Sequence, residues 1–353
     1  MSAREARGAG PWRRTAAVPL PGGRLLALHR RTVLATAVLL AVTLAVAVLT
    51  VTTGTYDLDL AGVLRTLTGG GSGTDRFIVL HQRVPRVVAA AAVGTALGLS
   101  GAVFQSMSRN PLGSPDIVGF TTGASTGGLV VILLTASPTT FSIAGATVVG
   151  GLATAAAVVL LTVRRGVGGE RLILAGIAVG AMLSSLNDYL IARATIESAE
   201  AAKAWQFGSL NAITWSPVVP LVAAVAVLAP ATLTIGRQLH TLELGDETAV
   251  ALGTPVRRVR VTALTLGVAL AAVAVAAAGP IGFLALAAPQ LARRVAGRPG
   301  IALGPSAAMG AFLLVAADLG AQRLLSPFQI PVGLVSAALG GVYLLWLLGF
   351  SRE

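Results

Sequence analysis

Long apolar stretches separated by short polar connections run along nearly the whole chain. A helix that crosses the hydrocarbon core of a bilayer needs about 20 mostly apolar residues. Eight stretches plainly reach that length, and two more are shorter or more polar but lie between polar turns. The pattern predicts ten membrane-spanning helices, at 32–54, 87–106, 117–135, 141–163, 172–192, 216–235, 261–279, 281–292, 303–321 and 330–349.

The distribution of arginine and lysine along the chain predicts the orientation of these spans. Cytoplasmic loops of membrane proteins carry an excess of both residues. With ten spans and the N-terminus inside, 19 of the 26 basic residues fall on inner segments and seven on outer ones. Nine or eleven spans would invert the C-terminal half and weaken this bias. We therefore predict an all-α integral membrane protein with both termini in the cytoplasm.

The chain divides into a basic tail at 1–31 and a ten-helix transmembrane domain at 32–353. The tail is rich in Arg, Gly, Pro and Ala, a composition that favours disorder on the cytoplasmic face. A secretory signal peptide is the alternative interpretation of the first apolar run. That run is longer than the hydrophobic region of a signal peptide, and no clear A-x-A cleavage site follows it. We expect it to be retained as the first helix.

Composition agrees with this class and excludes several kinds of chemistry. Hydrophobic residues make up 55% of the chain and charged residues 11%, against about 25% charged in soluble domains. There is no cysteine, and His29, His81 and His240 are far apart, so we expect no metal site built by this chain alone. The net charge of +12 is concentrated on inner segments, which fits a membrane protein rather than a nucleic-acid partner.

Known catalytic motifs are missing from the sequence. A P-loop needs G-x-x-x-x-G-K-[ST], but the single lysine, Lys203, precedes Ala204 and lacks the upstream glycines. This chain cannot hydrolyse ATP by that route. Neither H-E-x-x-H nor G-x-S-x-G occurs, so we predict no catalytic residues.

Small residues recur at four-residue spacing in several spans. In lipid, such faces allow the close backbone contacts that hold helices together. They predict packing of a compact bundle, and sliding of these faces during a transport cycle is the alternative. The faces consist of Gly94 and Gly98, of Gly119, Gly123 and Gly127, and of Gly176 and Gly180.

Polar side chains inside spans are costly and often functional. The fifth span carries a run of them near its outer end with no obvious local partner, and the second span carries one near its inner end. We predict that they line a polar path: Gln105, Ser184, Ser185, Asn187 and Asp188. Asp318 in the ninth span is equally compatible with a structural ion pair and with a functional role.

Two inner segments break the apolar pattern. Residues 237–260 form the longest inner connection, in which "GDETAVALG" predicts a short helix capped by Asp246 and ended by Gly253. That helix suits docking of a cytoplasmic partner, although a loop helix without a partner would have the same sequence pattern. In "SRNPLGSPDIVGF" (108–120), Asn110 before Pro111 ends the second span, and Ser114, Pro115 and Asp116 suit the start of the third.

Several ordered motifs, taken together, identify a family. They are "RVPR" (83–86), "SGAVFQSMSRNPLGSPDIVGFTTGA" (100–124), "LILAGIA" (172–178), "WQFGSL" (205–210), "LELGDETAVALG" (242–253), "GPIGFLALAAPQLAR" (279–293), "AADLGAQR" (316–323) and "IPVGLVSAALGG" (330–341). Over residues 32–350 the chain resembles the permease subunits of ABC importers for iron–siderophore complexes, haem and vitamin B12. The resemblance implies the permease fold of the vitamin B12 transporter type, with ten helices per subunit.

The resemblance also implies roles for particular residues. The inner loop would dock into an ATPase, outer arginines would meet a substrate-binding protein, and the fifth span would line the path. One asparagine and several glycines and prolines would form the structural signature. The coupling set is Gly245, Asp246, Glu247, Ala249, Leu252 and Gly253; the docking set is Arg83, Arg86 and Arg323; the signature set is Asn110, Pro111, Pro115, Gly279, Pro280, Pro289, Pro331 and Gly333.

Partners and substrate follow from the same resemblance. It implies a homodimer or a heterodimer with a similar permease, two ATP-binding cassette subunits and an extracytoplasmic binding protein, in the lipid of the cytoplasmic (inner) membrane. ATP and Mg²⁺ would bind the ATPase, with no cofactor on this chain. The implied substrate is a ferric siderophore, with haem or a corrinoid as alternatives. A secondary transporter driven by an ion gradient and a non-transporting scaffold are the competing classes.

Four positions depart from the family pattern. Gln290 stands where "PHIAR" has His, and Gln329 stands where Glu precedes "LPVG". Gln322 replaces the outer Arg of "ADLLAR", and Val342 replaces the Pro after the last glycine pair. The departures leave the class intact but bear on outer docking and on any role of the missing His and Glu.

Overall fold

The structure is a computed structural model that describes residues 15–20, 24–54, 56, 58–135, 137–163, 169–297, 300–326 and 328–350. The described residues are almost entirely helical. The helices are α1 Arg30–Thr52, α2 Leu60–Leu67, α3 Gly73–Arg76, α4 Val84–Ser108, α5 Phe120–Leu134, α6 Thr140–Val163, α7 Gly169–Arg193, α8 Ile196–Gln206, α9 Trp215–Thr234, α10 Gly236–Glu243, α11 Asp246–Ala251, α12 Val256–Ala278, α13 Leu284–Ala296, α14 Leu303–Arg323 and α15 Val332–Phe350.

The predicted spans correspond one for one to ten apolar helices. Seven of these helices are long and apolar enough to cross a membrane. Of the other three, α5 and α13 have 15 and 13 residues and begin after proline-containing irregular segments, and α15 has 19 residues and begins directly after Pro331. An even number of spans places both ends of the bundle on the same side. The matching helices are α1, α4, α5, α6, α7, α9, α12, α13, α14 and α15.

The second predicted span is longer than the sequence pattern indicates. α3, a π-helical segment Phe77–Arg83 and α4 form one continuous helix of 36 residues. At about 1.5 Å per residue such a helix is roughly 54 Å long, well beyond a hydrocarbon core of about 30 Å. The polar N-terminal end of this helix therefore extends past the apolar zone. The Trp215 indole donates a 2.7 Å hydrogen bond to the Leu80 carbonyl in the π-helical segment.

The centre of the bundle is α4, whose most apolar window is 78% buried. It packs against α14, α12, α13 and α9. The predicted small-residue faces lie at these and neighbouring crossings. A Cβ atom on Gly94 would overlap the Gly310 carbonyl of α14, and one on Gly127 would overlap the Ala146 carbonyl of α6. Gly119 likewise packs against Gly176 and Gly180 of α7, so the small-residue faces serve close packing.

The basic tail contains a short antiparallel hairpin of β1 Thr15–Leu20 and β2 Arg24–His29. Thr15 pairs with His29 and Leu20 with Arg24. This part of the tail was expected to be without regular structure. The apolar residues of "AAVPL" and "LLALH" and the glycine pair between them are a hairpin pattern that the overall composition obscured. Residues 1–14 and 21–23 of the tail lie outside the described residues.

Candidate translocation and docking sites

A cavity of about 900 Å³ opens at the outer end of the bundle, between the end of α1, the π-helical segment and the connection before α9. It contains all three arginines predicted to dock a binding protein. Aromatic and polar groups surround them, among them Tyr56, Phe77 and Trp215. The three arginines differ in what their guanidinium groups contact.

Arg86 is buried and paired, contrary to its predicted place on the outer docking surface. Its Nε and Nη2 atoms lie 2.9 Å from the two carboxylate oxygens of Asp318, which is itself 1% exposed. The guanidinium also donates to Gln329 Oε1 and Asn211 Oδ1, both at 2.8 Å. The positive charge of Arg86 is therefore neutralised by Asp318 inside the protein. An unpaired buried charge would be very costly. Of the two roles open to Asp318, the structure shows the ion pair, with Arg86 as its partner.

Two departures from the family pattern belong to this same cluster. Gln329 accepts a hydrogen bond from Arg86, and Gln322 donates one to Asp318 at 2.8 Å. With neutral amides at both positions, the cluster contains one cation and one anion. Charge balance within it therefore depends on the Arg86–Asp318 pair. Val342, in contrast, lies on an exposed part of α15.

Arg83 and Arg323 lie closer to the outer surface. Arg83 donates to the carbonyls of Val51 and Tyr56, at 2.7 and 2.6 Å, and so holds the end of α1 against the π-helical segment. Arg323, at the last turn of α14, is exposed and lines the cavity. Of the three predicted docking arginines, Arg323 has the side chain that a partner on the outer face could most readily contact.

A second cavity of about 460 Å³, called the polar cavity after its charged and hydroxyl-bearing side chains, lies between α5, α7 and α8. Three of the residues that the sequence assigned to a polar path line it, namely Ser184, Asn187 and Asp188 of α7. Ser185 is not among the lining residues; its hydroxyl donates to the Ala181 carbonyl one turn earlier. The opposite wall consists of residues that the sequence analysis did not assign to a path, namely Asp116, Thr121, Thr122, Ser125, Lys203, Gln206, Phe207, Pro280 and Gly282.

Asp116 is the most unusual group on that wall. One carboxylate oxygen accepts a 2.7 Å hydrogen bond from the Thr121 hydroxyl, while the other is buried and has no partner among the described residues. Burial raises the pKa of the Asp116 carboxyl to about 6, and the Thr121 hydrogen bond opposes this shift. The sequence analysis assigned Asp116 only to a helix start.

Gln105 does not line the polar cavity, although it was predicted to be part of the path. It is buried, its amide donates to the Leu286 carbonyl at 2.9 Å, and its oxygen accepts from Arg293 at 2.8 Å. Both partners belong to α13. Gln105 therefore ties the inner end of α4 to α13.

The segment "SRNPLGSPDIVGF" is a compact turn held from both sides. Arg109 ends α4 in the left-handed region, and Asn110 Oδ1 accepts from the Leu112 amide at 2.8 Å. Ser114 accepts from the Ile117 amide within the turn, but the prediction that it caps the third span is wrong, because the N-cap of α5 is Gly119. However, α5 begins only at Phe120, after a left-handed Gly119, so Pro115 and Asp116 lie in a turn before the helix rather than in its first turn.

Gln290 connects this turn to the rest of the bundle. Its amide donates to the Pro111 carbonyl at 2.7 Å, and its oxygen accepts from the Tyr343 hydroxyl at 3.2 Å. The connection spans three elements that are far apart in sequence. The glutamine that replaces the family's histidine is thus both donor and acceptor at a buried junction.

Signature glycines from distant motifs meet near the C-terminal end of α8. Gly279 ends α12 with a positive φ of 72°, and a Cβ there would overlap the Trp205 carbonyl. The amide of Gly333 donates to the Gly208 carbonyl at 3.0 Å. Pro280 lines the polar cavity, Pro331 immediately precedes α15, and Pro289 lies within α13.

The inner loop forms two short helices, α10 and α11, rather than one. Gly245 takes the N-cap position with a φ of 104°, so the predicted cap by Asp246 is wrong. Asp246 instead forms a salt bridge with Arg260 of α12, with 2.7 Å between Asp246 Oδ1 and Arg260 Nη2. Gly253 ends the segment with a φ of 76°, as predicted.

The coupling residues differ in exposure. Ala249 is fully buried, whereas Leu252 is 61% exposed, and Glu247 is also exposed. Leu244 and Val250 add further exposed apolar surface beside them. An exposed apolar patch next to charged groups at an inner loop is typical of a surface that another protein covers.

Comparison with known proteins adds a family match. The model of the FecCD transport family matches residues 39–350. The ferric enterobactin transport system permease protein FepG of Escherichia coli (strain K12) is 44% identical over 295 residues, covering 84% of this chain and 89% of that protein. The hemin transport system permease protein HmuU of Yersinia pestis is 38% identical over 284 residues, covering 78% and 84%.

A solved structure shares the fold over nearly the same range. It is a metal-chelate type ABC transporter in an inward-facing conformation, 27% identical to this chain with a TM-score of 0.80. The match covers 90% of this chain and 99% of that one.

Proposed function

This chain belongs to the FecCD transport family, and on that basis we propose that it forms the membrane path for an iron–siderophore complex. It is the permease subunit of an ABC importer for iron chelates, a multi-pass membrane protein whose ATPase activity belongs to partner subunits. It works with ATPase and binding-protein partners. The ion-gradient-driven and scaffold alternatives have no support from this family.

The siderophore assignment depends on one observation, the 44% identity with a ferric enterobactin permease over 84% of this chain. Haem is the second candidate because a hemin permease is 38% identical. A corrinoid is the third, through the fold type implied by the sequence motifs.

Uptake by the complete importer in sealed vesicles distinguishes these substrates. We expect ATP-dependent, saturable uptake of a labelled ferric siderophore, with haem and cobalamin at background. Uptake of haem or cobalamin alone would overturn the siderophore assignment. Uptake that persists without ATP but disappears on adding ionophores would contradict the importer mechanism itself.

The polar cavity between α5, α7 and α8 is the part of this subunit that best fits a path. Ser184, Asn187 and Asp188 supply its polar wall on α7, a helix whose most apolar window is only 17% buried in the single subunit. A helix so little covered by its own chain needs lipid or a second subunit against it. A homodimer or a heterodimer with a similar permease would place this surface at a shared axis.

Coupling to ATP hydrolysis is proposed to run through α10 and α11. Their exposed Leu244, Val250 and Leu252 would pack against the ATPase, which holds ATP and Mg²⁺, while this chain holds no cofactor. The Asp246–Arg260 salt bridge would transmit the movement to α12, and α12 packs directly on the central α4.

On the outer face, Arg323 with Arg83 is proposed to orient the binding protein. Charged contacts at the rim of an interface set orientation and partner choice more than affinity. Arg86 is left out of this role because Asp318 already neutralises it. The membrane is proposed to be the cytoplasmic (inner) one, with the positively charged loops inside.

A further inference from the structure

The polar cavity between α5, α7 and α8 contains hydrogen-bond acceptors that lack donors. Three buried side-chain polar atoms among the described residues have no hydrogen-bond partner. Two of them, Asp116 Oδ2 and Asn187 Oδ1, belong to residues that line this one cavity. Buried polar atoms in folded proteins are almost always paired, so two unpaired acceptors on a shared cavity indicate a missing positive or donor group.

The Asp116 carboxylate requires such a group most strongly. Its Oδ1 atom already accepts from Thr121, whereas its Oδ2 atom is buried without a partner. An isolated carboxylate out of contact with water is unstable unless a proton, a cation or donors compensate its charge. Nothing in the described structure compensates this oxygen.

Asn187 faces the same cavity from the opposite helix. It is 4% exposed, although its neighbours on α7, Leu186 and Asp188, are exposed. Its position is therefore built into the fold rather than left at a surface. An amide oxygen is a good neutral ligand for hard cations.

Other charged groups on the cavity do not fill this need. The titratable groups among its described lining residues are Asp116, Asp188 and Lys203. Lys203 Nζ lies 3.9 Å from Asp188 Oδ1, and both side chains are more than half exposed at the mouth. The causes of the Asp116 pKa shift are burial and the Thr121 hydrogen bond, with no charged group among them.

We propose that this cavity binds a monovalent alkali cation, with Asp116 and Asn187 as ligands and the hydroxyls of Thr121, Thr122 and Ser125 around it. The single carboxylate of Asp116, whose Oδ2 atom is buried, balances one positive charge. Calcium sites use several oxygen ligands and commonly more than one carboxylate. Softer metals prefer imidazole or sulfur, and the described lining residues include no His, Cys or Met.

A proton competes with the cation for the same oxygen. Because burial raises the pKa of Asp116 to about 6, the carboxyl is mostly charged well above that pH and mostly neutral below it. The folded protein then needs no cation at acidic pH. Cation affinity must fall as the pH decreases through this range.

Cation-dependent stability of the purified permease, assembled with its ATPase, tests the proposal without any transported substrate. The melting temperature is measured at about pH 8 in NaCl, KCl or choline chloride at equal ionic strength, a comparison that removes general screening. We expect a saturable increase in NaCl or KCl over choline chloride. At about pH 5 the half-saturating concentration should be about tenfold higher or more, because protons occupy Asp116.

Variants locate the response. Asp116→Asn keeps the size of the side chain and removes its charge, and it should abolish the increase. Glu197→Gln is the matched control, since it removes an exposed carboxylate of α8 that does not line the cavity, and it should keep the increase. If Asp116→Asn does not fold, Asn187→Leu should raise the half-saturating concentration by about tenfold.

Three results would overturn the proposal. Equal melting in all three salts would mean that no alkali cation binds. A cation response retained by Asp116→Asn would place the site elsewhere. A response that is constant between the two pH values would exclude Asp116 as the ligand. None of these results depends on which iron chelate is transported, so the proposed function is tested separately.

Discussion

At the scale of single residues, buried polar side chains of this protein find partners that are distant in the sequence. Arg86 and Asp318 are separated by 232 positions, and Gln105 and Arg293 by 188. Each such contact fixes how far one helix is shifted along the other and which of its faces is turned toward the other. Because these side chains are largely buried, the loss of one group leaves the other with the cost of an unpaired buried polar group.

The Arg86–Asp318 pair should dominate the stability of the outer half. Arg86→Gln leaves Asp318 buried without its counter-ion, and we expect a loss of about 3–5 kcal/mol. Thermal unfolding of the detergent-solubilised protein measures this loss. Arg323→Gln, which removes an exposed arginine nearby, should change stability by no more than about 0.5 kcal/mol.

A double variant separates pairing from packing. Arg86→Leu with Asp318→Leu removes both charges, and it should be more stable than Arg86→Leu alone because no uncompensated charge remains. If the single and double variants lose the same free energy of unfolding, the two side chains stabilise the protein by packing and not by their charges.

Gln290 offers a second residue-scale prediction. Gln290→Leu removes both the hydrogen bond to the Pro111 carbonyl and the one from Tyr343, so uptake in vesicles should fall and the protein should lose about 1–3 kcal/mol. Gln290→His restores the residue of the family pattern, and its ring can still donate to Pro111. We expect it to retain most of the uptake; a loss as large as that of the leucine variant would refute this role.

At the scale of elements, the architecture depends on helices approaching until their backbones touch. α4 is surrounded by α14, α12, α13 and α9, and its glycines lie where a neighbour's carbonyl occupies the position of a Cβ atom. Lipid gives apolar helices no hydrophobic reason to associate. Close contact at small residues therefore determines which helices are neighbours.

Substitution of these glycines should be costly only at the crossings. Gly94→Ala places a Cβ on the Gly310 backbone, which cannot rotate away, and we expect a loss of about 1–3 kcal/mol in thermal unfolding. Gly145→Ala is the matched control on α6, where no atom lies within 4 Å of the added Cβ. A similar loss in both variants would show that helix packing is not the cause.

At the scale of the whole molecule, the inner helices α10 and α11 are connected to the centre of the bundle by direct contacts, including a hydrogen bond from the Ser106 hydroxyl of α4 to the Leu239 carbonyl of α10. The Asp246–Arg260 salt bridge joins α11 to α12, and α12 packs along α4. The turn at 108–120 joins the same inner side to α13 and α15 through Gln290. Movement of the inner helices can thus reach the polar cavity through packed elements rather than through a flexible loop.

Charge reversal tests that connection. Asp246→Arg places two cations together, so we expect ATP hydrolysis by the complete importer to continue while uptake in vesicles falls. The combination of Asp246→Arg with Arg260→Asp restores opposite charges and should recover part of the uptake. If Asp246→Arg transports normally, the salt bridge does not couple hydrolysis to transport.

The helix count, the small-residue faces and much of the polar wall on α7 follow from the sequence. Each is a local periodic property, since a span is a length of apolar residues and a face is a four-residue repeat. Ser184, Asn187 and Asp188 were predicted for the same reason. Gln105 and Ser185, assigned to the same path, do not line the cavity, because a polar residue in a span looks the same whether it faces a cavity or bonds to a backbone carbonyl.

The missed residues were hidden by their position in the chain. Asp116 follows a proline in a turn, where an aspartate is ordinary, and Lys203 lies in a short outer helix. Nothing local marks either as part of a cavity. Folding brings the turn, α7 and α8 together, and only then does the carboxylate of Asp116 become a buried group without a partner.

The sequence by itself determined the class of the protein, the number of its spans, their orientation and the family, because these depend on composition, periodicity and ordered motifs. Only the tertiary structure decided which arginine side chains are buried in ion pairs and which are exposed. Arg83, Arg86 and Arg323 look alike in the sequence, yet Arg86 is buried against Asp318 while Arg323 remains exposed. The reason is physical: the environment of a charge is set by atoms from distant helices, and no local pattern records which helices become neighbours.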